Sequence, residues 1–387
     1  MLPDPDRLPF RWIRTTDALT RACALWRRRV AVGLDTEFVR ERTYYAQLGL
    51  LQVAVGLPGD DLDIVLVDPL EIDDLSPLAE LLDDPAVVKI LHSPSEDLEI
   101  LHRAVGSVPT PLFDTQIAAA LTGHGWSLGF APLVDGVFGA ELPKGQTRSN
   151  WLRRPLSDDQ VRYAALDVAY LPLLHRHLAR ELDDLGRGAW MREEMAPRED
   201  SSAYGDDDLI TYRKLRRRRA SARQLGVLRA LCIWREREAR RRDLPRNFIV
   251  PEQALGEIAA KTPRSLAQLR RIRSLRPRDL ERHGRSLLSI VAEALDTPAH
   301  ELPAPMRQPR DLAPYKAEVK ALRAEIESIA ARHGLPPELL ANRRAVEAAV
   351  RHHLDGHTQP LPAFDGWRRP VVGEPLVEAM RRLVPRR

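Results

Sequence analysis

A chain of 387 residues, 44% of them hydrophobic, can form two or three domains and bury at least one sizeable core. No apolar run approaches the roughly 20 residues of a membrane span, and the opening MLPDPDRLPFRW lacks the basic start and apolar block of a secretory signal. Net charge is only +4, yet residues 211–285 hold 23 Lys or Arg against 7 Asp or Glu, leaving −12 on the remainder. An acidic part is thus joined to a basic part suited to a polyanion.

The first strand signal is VAVGLDTEF (30–38), an apolar run that ends with two acids. Side chains alternate along a strand, so Asp35 and Glu37 point the same way. YYAQLGLLQVAVG and DIVLVDPL follow, punctuated by Gly56, Pro58 and Gly59, and predict two more strands, antiparallel through short connections. From Leu75 helices alternate with strands. SPLAELLDD predicts a helix, VVKILH (87–92) a strand, and SPSEDLEILHRAVG a helix opened by Ser93 or Ser95 and closed by Gly106. PLFDTQIAAALTG predicts a short strand passing into a helix, and DDQVRYAALDVAYLPLLHRHLARELDDLG one long helix. Strands followed by alternating helices and strands predict an α/β unit, a mixed sheet flanked by helices.

The polar stretch 196–208 and the proline-spotted stretch 301–314 are the expected linkers, bounding domains at 1–200, 209–298 and 310–387. Beyond the first linker strand signals almost vanish, and residues 213–297 predict several helices. LPRNFIVPEQALGEIA from Leu244 and LPPELLANRRAVEAAV from Leu335 share a pattern at an offset of 91 residues, which predicts two copies of a small helical module. Cys23 and Cys232 are far apart and form neither a zinc site nor a disulfide framework, in keeping with a reducing, cytoplasmic setting.

Two further acids occupy telling places. Asp97 lies one turn into the helix after VVKILH, and Asp167 follows Tyr163 by four residues, the spacing that stacks both on one helical face. Each has a plain structural reading, since acids favour helix N-termini and tyrosines fill cores. Together, DTEF (35–38), SEDL (95–98) and YAALD (163–167) resemble the three exonuclease motifs of the DEDD superfamily, and the tyrosine resembles its DEDDy branch. FDTQIAAALTG and KGQTRSNWLRRPLSDDQVRYAALDVAYL narrow the resemblance to the ribonuclease D family, and the helical modules resemble HRDC domains. Asn150 departs from the pattern, where related sequences more often carry an acid.

The resemblance implies a ribonuclease H-like exonuclease domain followed by two HRDC-like domains. It implies a 3′–5′ exoribonuclease that uses two divalent ions, magnesium or manganese, to trim RNA such as transfer-RNA precursors and release nucleoside 5′-monophosphates. Asp35 is expected at both ions, Glu37 and Asp167 at one, Asp97 at the other, with Tyr163 orienting the attacking water. Candidate substrate contacts are Phe38, Gln47, Gln52, Trp126, Lys144, Arg148 and Trp151, which are either stacking and phosphate groups or core and rim residues. His92 either lines the cleft or is a satisfied core histidine. Arg216, Arg217, Arg218, Arg219, Arg240, Arg241 and Arg242 form the expected RNA-binding patch, while Trp234 fits the module's core. A monomer is expected. The rival readings are a DNA-directed exonuclease with the same chemistry and an inactive RNA-binding scaffold.

Overall fold

The computed structural model describes residues 2–3, 8–57, 59, 61–143, 149–306 and 310–384. Two compact units emerge, one of Met1–Val39, Leu48–Tyr204 and Arg310–Arg387, the other of Arg40–Gln47 and Gly205–Pro309.

The first unit is built on six strands: β1 (Arg11–Ile13), β2 (Ala31–Val39), β3 (Gln47–Val55), β4 (Asp63–Val67), β5 (Val88–Leu91) and β6 (Leu112–Asp114). Their order is β1-β4-β3-β2-β5-β6, a mixed sheet with β3 and β4 antiparallel and the pairs β1–β4, β2–β5 and β5–β6 parallel. Helices α1 (Thr16–Trp26), α2 (Pro77–Leu82), α3 (Ser95–Val105), α4 (Thr115–Thr122), α5 (Phe130–Phe138), α6 (Asp158–Ala169), α7 (Leu171–Asp184) and α8 (Gly188–Glu199) surround it. Strand β3 is buried from Gly49 onward, so its near-continuous apolar run reflects a sheet covered on both faces.

Of the differences from the sequence-based expectation, two shape the sheet and the site. Strand β1 went unpredicted because three residues are too few to show an alternation; its parallel pairing with β4, Arg11 opposite Val65, makes it the sheet edge. The long helix predicted from Asp158 is two helices broken at Tyr170. Pro172 lies in the first turn of α7, where a missing N–H breaks no helical bond. The break lets α7 run close over β2. A Cβ on Gly33 would lie 2.9 Å from the Leu171 Cβ, so only glycine admits this approach.

The second unit holds α9 (Ile210–Leu215), α10 (Ala222–Arg242), α11 (Arg246–Ile249), α12 (Glu252–Lys261), α13 (Leu266–Leu269) and α14 (Pro277–Asp296). Its core is formed by Leu228, Leu231, Cys232, Leu255, Ile258, Leu287 and neighbours, with Trp234 packed against it and edge-on to His283. A charged network is also buried there. Arg235 and Glu236 are both fully enclosed. Glu236 accepts hydrogen bonds from Thr211 Oγ1 at 2.6 Å, Tyr44 Oη at 2.8 Å and Arg246 Nε at 2.8 Å.

Helices α15 (Lys316–His333), α16 (Pro337–Leu340), α17 (Arg343–Leu354) and α18 (Glu374–Leu383) return to the first unit and share one hydrophobic core with the sheet and its helices. Trp367 stacks on Trp190 of α8 with centroids 4.5 Å apart and planes 13° from parallel. Its ring N–H donates to Glu194 at 2.8 Å. The two helical modules repeat each other bond for bond. Leu244 N–H donates to the Ala239 carbonyl at 3.0 Å, and 91 residues later Leu335 N–H donates to the Ala330 carbonyl at 2.9 Å. Each short middle helix, α11 and α16, directly follows a proline, Pro245 or Pro336.

Candidate active site

Strand β2 runs from a buried middle to a half-buried end that carries Asp35 and Glu37. Helix α6 is started by a capping box: Ser157 accepts from the Gln160 N–H while Gln160 bonds back to the Ser157 N–H. Ala164, Ala165, Leu166 and Val168 anchor α6 in the interior and hold Tyr163 and Asp167 toward β2. One carboxylate oxygen each from Asp35, Glu37 and Asp167 lies within 4.8 Å of the others. Asp97, from the first turn of α3, stands outside this trio. It accepts a short hydrogen bond from the Thr36 hydroxyl, on the residue between Asp35 and Glu37. Tyr163 hydrogen-bonds to Asp167. Ser157→Ala is expected to lower stability by about 1 kcal/mol, seen as a lower urea midpoint.

The electrostatics follow from burying acids together. Burial pushes Asp35 well above the usual carboxylate range, and repulsion from Asp97, Asp167 and Glu37 adds to it. Glu37 is pushed up to about 9, first by burial and then by Asp167 and Asp97. Burial raises Asp167 to about 7 against the opposing hydrogen bond from Tyr163. Asp97 is raised by burial, with the Thr36 hydroxyl opposing. The Tyr163 hydroxyl is itself pushed up by burial and by the negative charge of Asp167. Acids that resist ionising together favour cations between them, and an all-oxygen donor set suits magnesium or manganese.

Three supports were not foreseen from sequence. Asp68 is fully buried, and Arg154 grips it with Nε and Nη2 at 2.6 Å each. The same guanidinium donates to the carbonyls of Trp151 at 2.9 Å and Gly49 at 2.7 Å, tying the chain before α6 to the sheet. A Cβ on Gly49 would lie 2.7 Å from the Trp151 carbonyl oxygen, so this closeness also requires glycine. Neither Ser93 nor Ser95 caps α3 as expected, since Pro94 takes the cap position without a side-chain bond; Ser93, in the left-handed region at φ 54, turns the chain from β5 into α3, and its N–H is held by Asp114 at 2.9 Å. That turn sets where Asp97 begins its helix.

Several candidate contacts are placed differently from expectation. Trp151 is 1% exposed and packs at 6.2 Å from the Tyr163 ring, so it supports the tyrosine and offers no stacking face. Gln52 is wholly buried and out of a nucleotide's reach. His92 is half-buried with both ring nitrogens partnered: Thr115 Oγ1 lies 2.8 Å from Nδ1 and the Leu128 carbonyl 3.1 Å from Nε2. Burial lowers its pKa to about 4, keeping the ring neutral. Phe38 is half-buried beside Glu37; Gln47 and Trp126 are exposed. Lys144 and Arg148 lie outside the described residues. Of the arginine patch, Arg216, Arg217, Arg218 and Arg219 are exposed. Arg240 pairs with Asp208 and Asp206, and Arg241 and Arg242 pair with Glu238, so their charge is largely spent within the module.

Comparison with known proteins agrees with this geometry. Residues 10–183 match the 3′–5′ exonuclease family, 224–291 the HRDC domain, and 314–376 the ribonuclease D C-terminal HRDC domain. Ribonuclease D of Pseudomonas paraeruginosa is 39% identical over 374 residues, covering 96% of this chain and 97% of that protein. Ribonuclease D of Escherichia coli is 38% identical, covering 97% and 98%. The crystal structure of E. coli RNase D superimposes with a TM-score of 0.84 at 36% identity, covering 97% of this chain and 99% of the other. The exonuclease family implies use of a divalent metal, and Asp35, Glu37 and Asp167 are groups that could hold one. The buried acids, the tyrosine on α6 and the paired helical modules fit this kinship over nearly the whole length: the chain belongs to the ribonuclease D family of 3′–5′ exoribonucleases.

Proposed function

We propose that the protein trims 3′ extensions from structured RNA, transfer-RNA precursors foremost, by hydrolysis assisted by two divalent cations. The observation that carries this reading is the convergence of Asp35, Glu37 and Asp167 within 4.8 Å, with Tyr163 bonded to Asp167. Asp35, Glu37 and Asp167 would hold one cation, and Asp97 with Asp35 would serve the other. Bound there, such ions lower the pKa of a water and stabilise the departing 3′ oxygen. Tyr163 stays protonated, because its ionisation is pushed upward. With its proton committed to Asp167, its oxygen is left to accept a hydrogen bond from the attacking water and aim it. Phe38 and Trp126 offer apolar faces for the terminal bases. Arg216–Arg219 supply exposed charge for the RNA backbone, and the related E. coli protein is an exoribonuclease involved in structured RNA processing.

The test incubates purified protein with a 3′-extended transfer-RNA precursor and with single-stranded DNA, in magnesium and in EDTA. The RNA should shorten stepwise from its 3′ end, releasing nucleoside 5′-monophosphates, and stop with chelator. Equal digestion of DNA would favour the DNA-directed reading, and unchanged trimming in EDTA would defeat the metal assignment. Tyr163→Phe should slow single-turnover cleavage by on the order of 10²-fold while leaving magnesium binding unchanged.

A further inference from the structure

Outside the carboxylate site, His124, His177 and Glu181 form a second group whose donor atoms lie within 4.8 Å of one another. His124 Nε2 is 2.8 Å from one Glu181 oxygen, and His177 Nε2 is 3.2 Å from the other. We propose that these three side chains form a site for zinc or a neighbouring late first-row divalent ion, separate in place and chemistry from the nuclease centre.

Local structure holds all three backbones in position. His177 and Glu181 are four residues apart on α7, and so share a face. His124 follows Gly123, which caps α4 in the left-handed region at φ 92, and its N–H is tied to the Ala119 carbonyl at 2.9 Å. Helices α4 and α7 pack along each other, so metal binding needs side-chain rotation and no backbone movement. Phe138 stands edge-on to His177 at 6.0 Å and limits that ring's freedom.

Donor chemistry selects the ion. Tetrahedral ligands about 2.0–2.1 Å from zinc lie roughly 3.3 Å from each other. The 2.8 and 3.2 Å contacts to the two Glu181 oxygens are already close to that span, and the remaining separations, all within 4.8 Å, reach it by turning partly exposed side chains. Two imidazoles and one carboxylate suit zinc, cobalt, nickel or copper, whereas magnesium prefers oxygen alone. Each ring binds the ion through Nε2 as its Nδ1–H tautomer, so the Nε2 contact to Glu181 is replaced by the ion, and one coordination position is left for water. The contacts to Glu181 bring both Nε2 atoms to one carboxylate, which gathers the three donors around a common point where an ion can bind. Bound there, the ion clamps the end of α4 to α7, the helix that continues directly from Tyr163 and Asp167 on α6.

The full-length protein is stripped with EDTA and titrated with Co2+ in excess Mg2+, which fills the oxygen site. The wild type should develop the strong visible absorption of low-coordinate, nitrogen-bound cobalt, saturating at one equivalent and bleached by Zn2+. A His124→Ala, His177→Ala double variant should bind Co2+ at least about 100-fold more weakly, with Mg2+-dependent RNA trimming unchanged. Glu181→Gln, which keeps both rings, should also lose the absorption and guards against a misfolded double variant. No cobalt band in the wild type under Mg2+, or the same band in both variants, overturns the proposal.

Discussion

Asp167→Asn is expected to abolish RNA trimming and, in chelator at pH 8, to leave the protein harder to unfold than the wild type. The loss of turnover should be on the order of 10⁴-fold, as for a group that acts only with its partners in place. The gain in stability follows from the raised ionisation of the site. Asp167 is pushed up to about 7 and Glu37 to about 9, both chiefly by burial. An acid whose folded-state pKa lies above its unfolded value binds its proton more tightly when folded. Stability is therefore full below about pH 4 as far as these groups are concerned. It falls as pH rises through about 7 for Asp167 and about 9 for Glu37. An asparagine has no proton to give up, so it removes a penalty of up to about 4 kcal/mol, at roughly 1.4 kcal/mol per pKa unit. Saturating magnesium should close or reverse the gap, because cation binding stabilises the wild type by mass action and the variant less so. Urea midpoints at pH 5 and pH 8, with EDTA or magnesium, measure this directly. A wild type whose chelated stability is flat between those pH values would sink the account.

Arg154→Ala should be the most damaging change away from the acids, lowering stability by about 3–5 kcal/mol. The cause is less the lost attraction than what remains: Asp68, with no exposed surface, would stay buried without its bidentate partner. The substitution also releases the Trp151 and Gly49 carbonyls from their shared donor, so the chain before α6 loosens. Trp151 lies under Tyr163, and turnover should fall along with the midpoint. Replacing both partners, Arg154→Met with Asp68→Leu, should recover much of the stability, because no buried charge is then stranded. If the single and double variants unfold alike, the stranded-charge explanation is wrong. Denaturant unfolding of both variants and of each single one gives the coupling as a double-mutant cycle.

The acids and Tyr163 stood out only as an ordered set resembling known motifs, since each local signal also fits a plain structural role, and the structure brings Asp35, Glu37 and Asp167 within 4.8 Å. The repeat at 91 residues could also be read, since it rests on two prolines and the helices around them, and matching backbone hydrogen bonds now account for it. What stayed hidden depends on distance along the chain. Asp68 and Arg154 are 86 residues apart, and neither carries a pattern that names the other. The basic run in α10 suggested a surface, yet Arg235 is enclosed with Glu236, and Arg240 is paired off by Asp208. Trp151 had suitable chemistry for substrate contact, but its burial decides its role, and that burial comes from the packing around Tyr163 of α6. The helix break at Tyr170 was invisible because both sides keep helical periodicity across it.

The stack of Trp367 on Trp190 sets a timetable for synthesis. A ribosome delivers β1 through α8 well before residue 367 leaves the exit tunnel, since domains emerge from the N-terminus onward. Until then Trp190 lacks the ring that stacks on it, and the residues that pack with α15–α18 lack part of their apolar cover. A chain cut short upstream of Trp367 is therefore expected to be more readily cleaved by protease than the full chain, because it leaves part of the shared core uncovered.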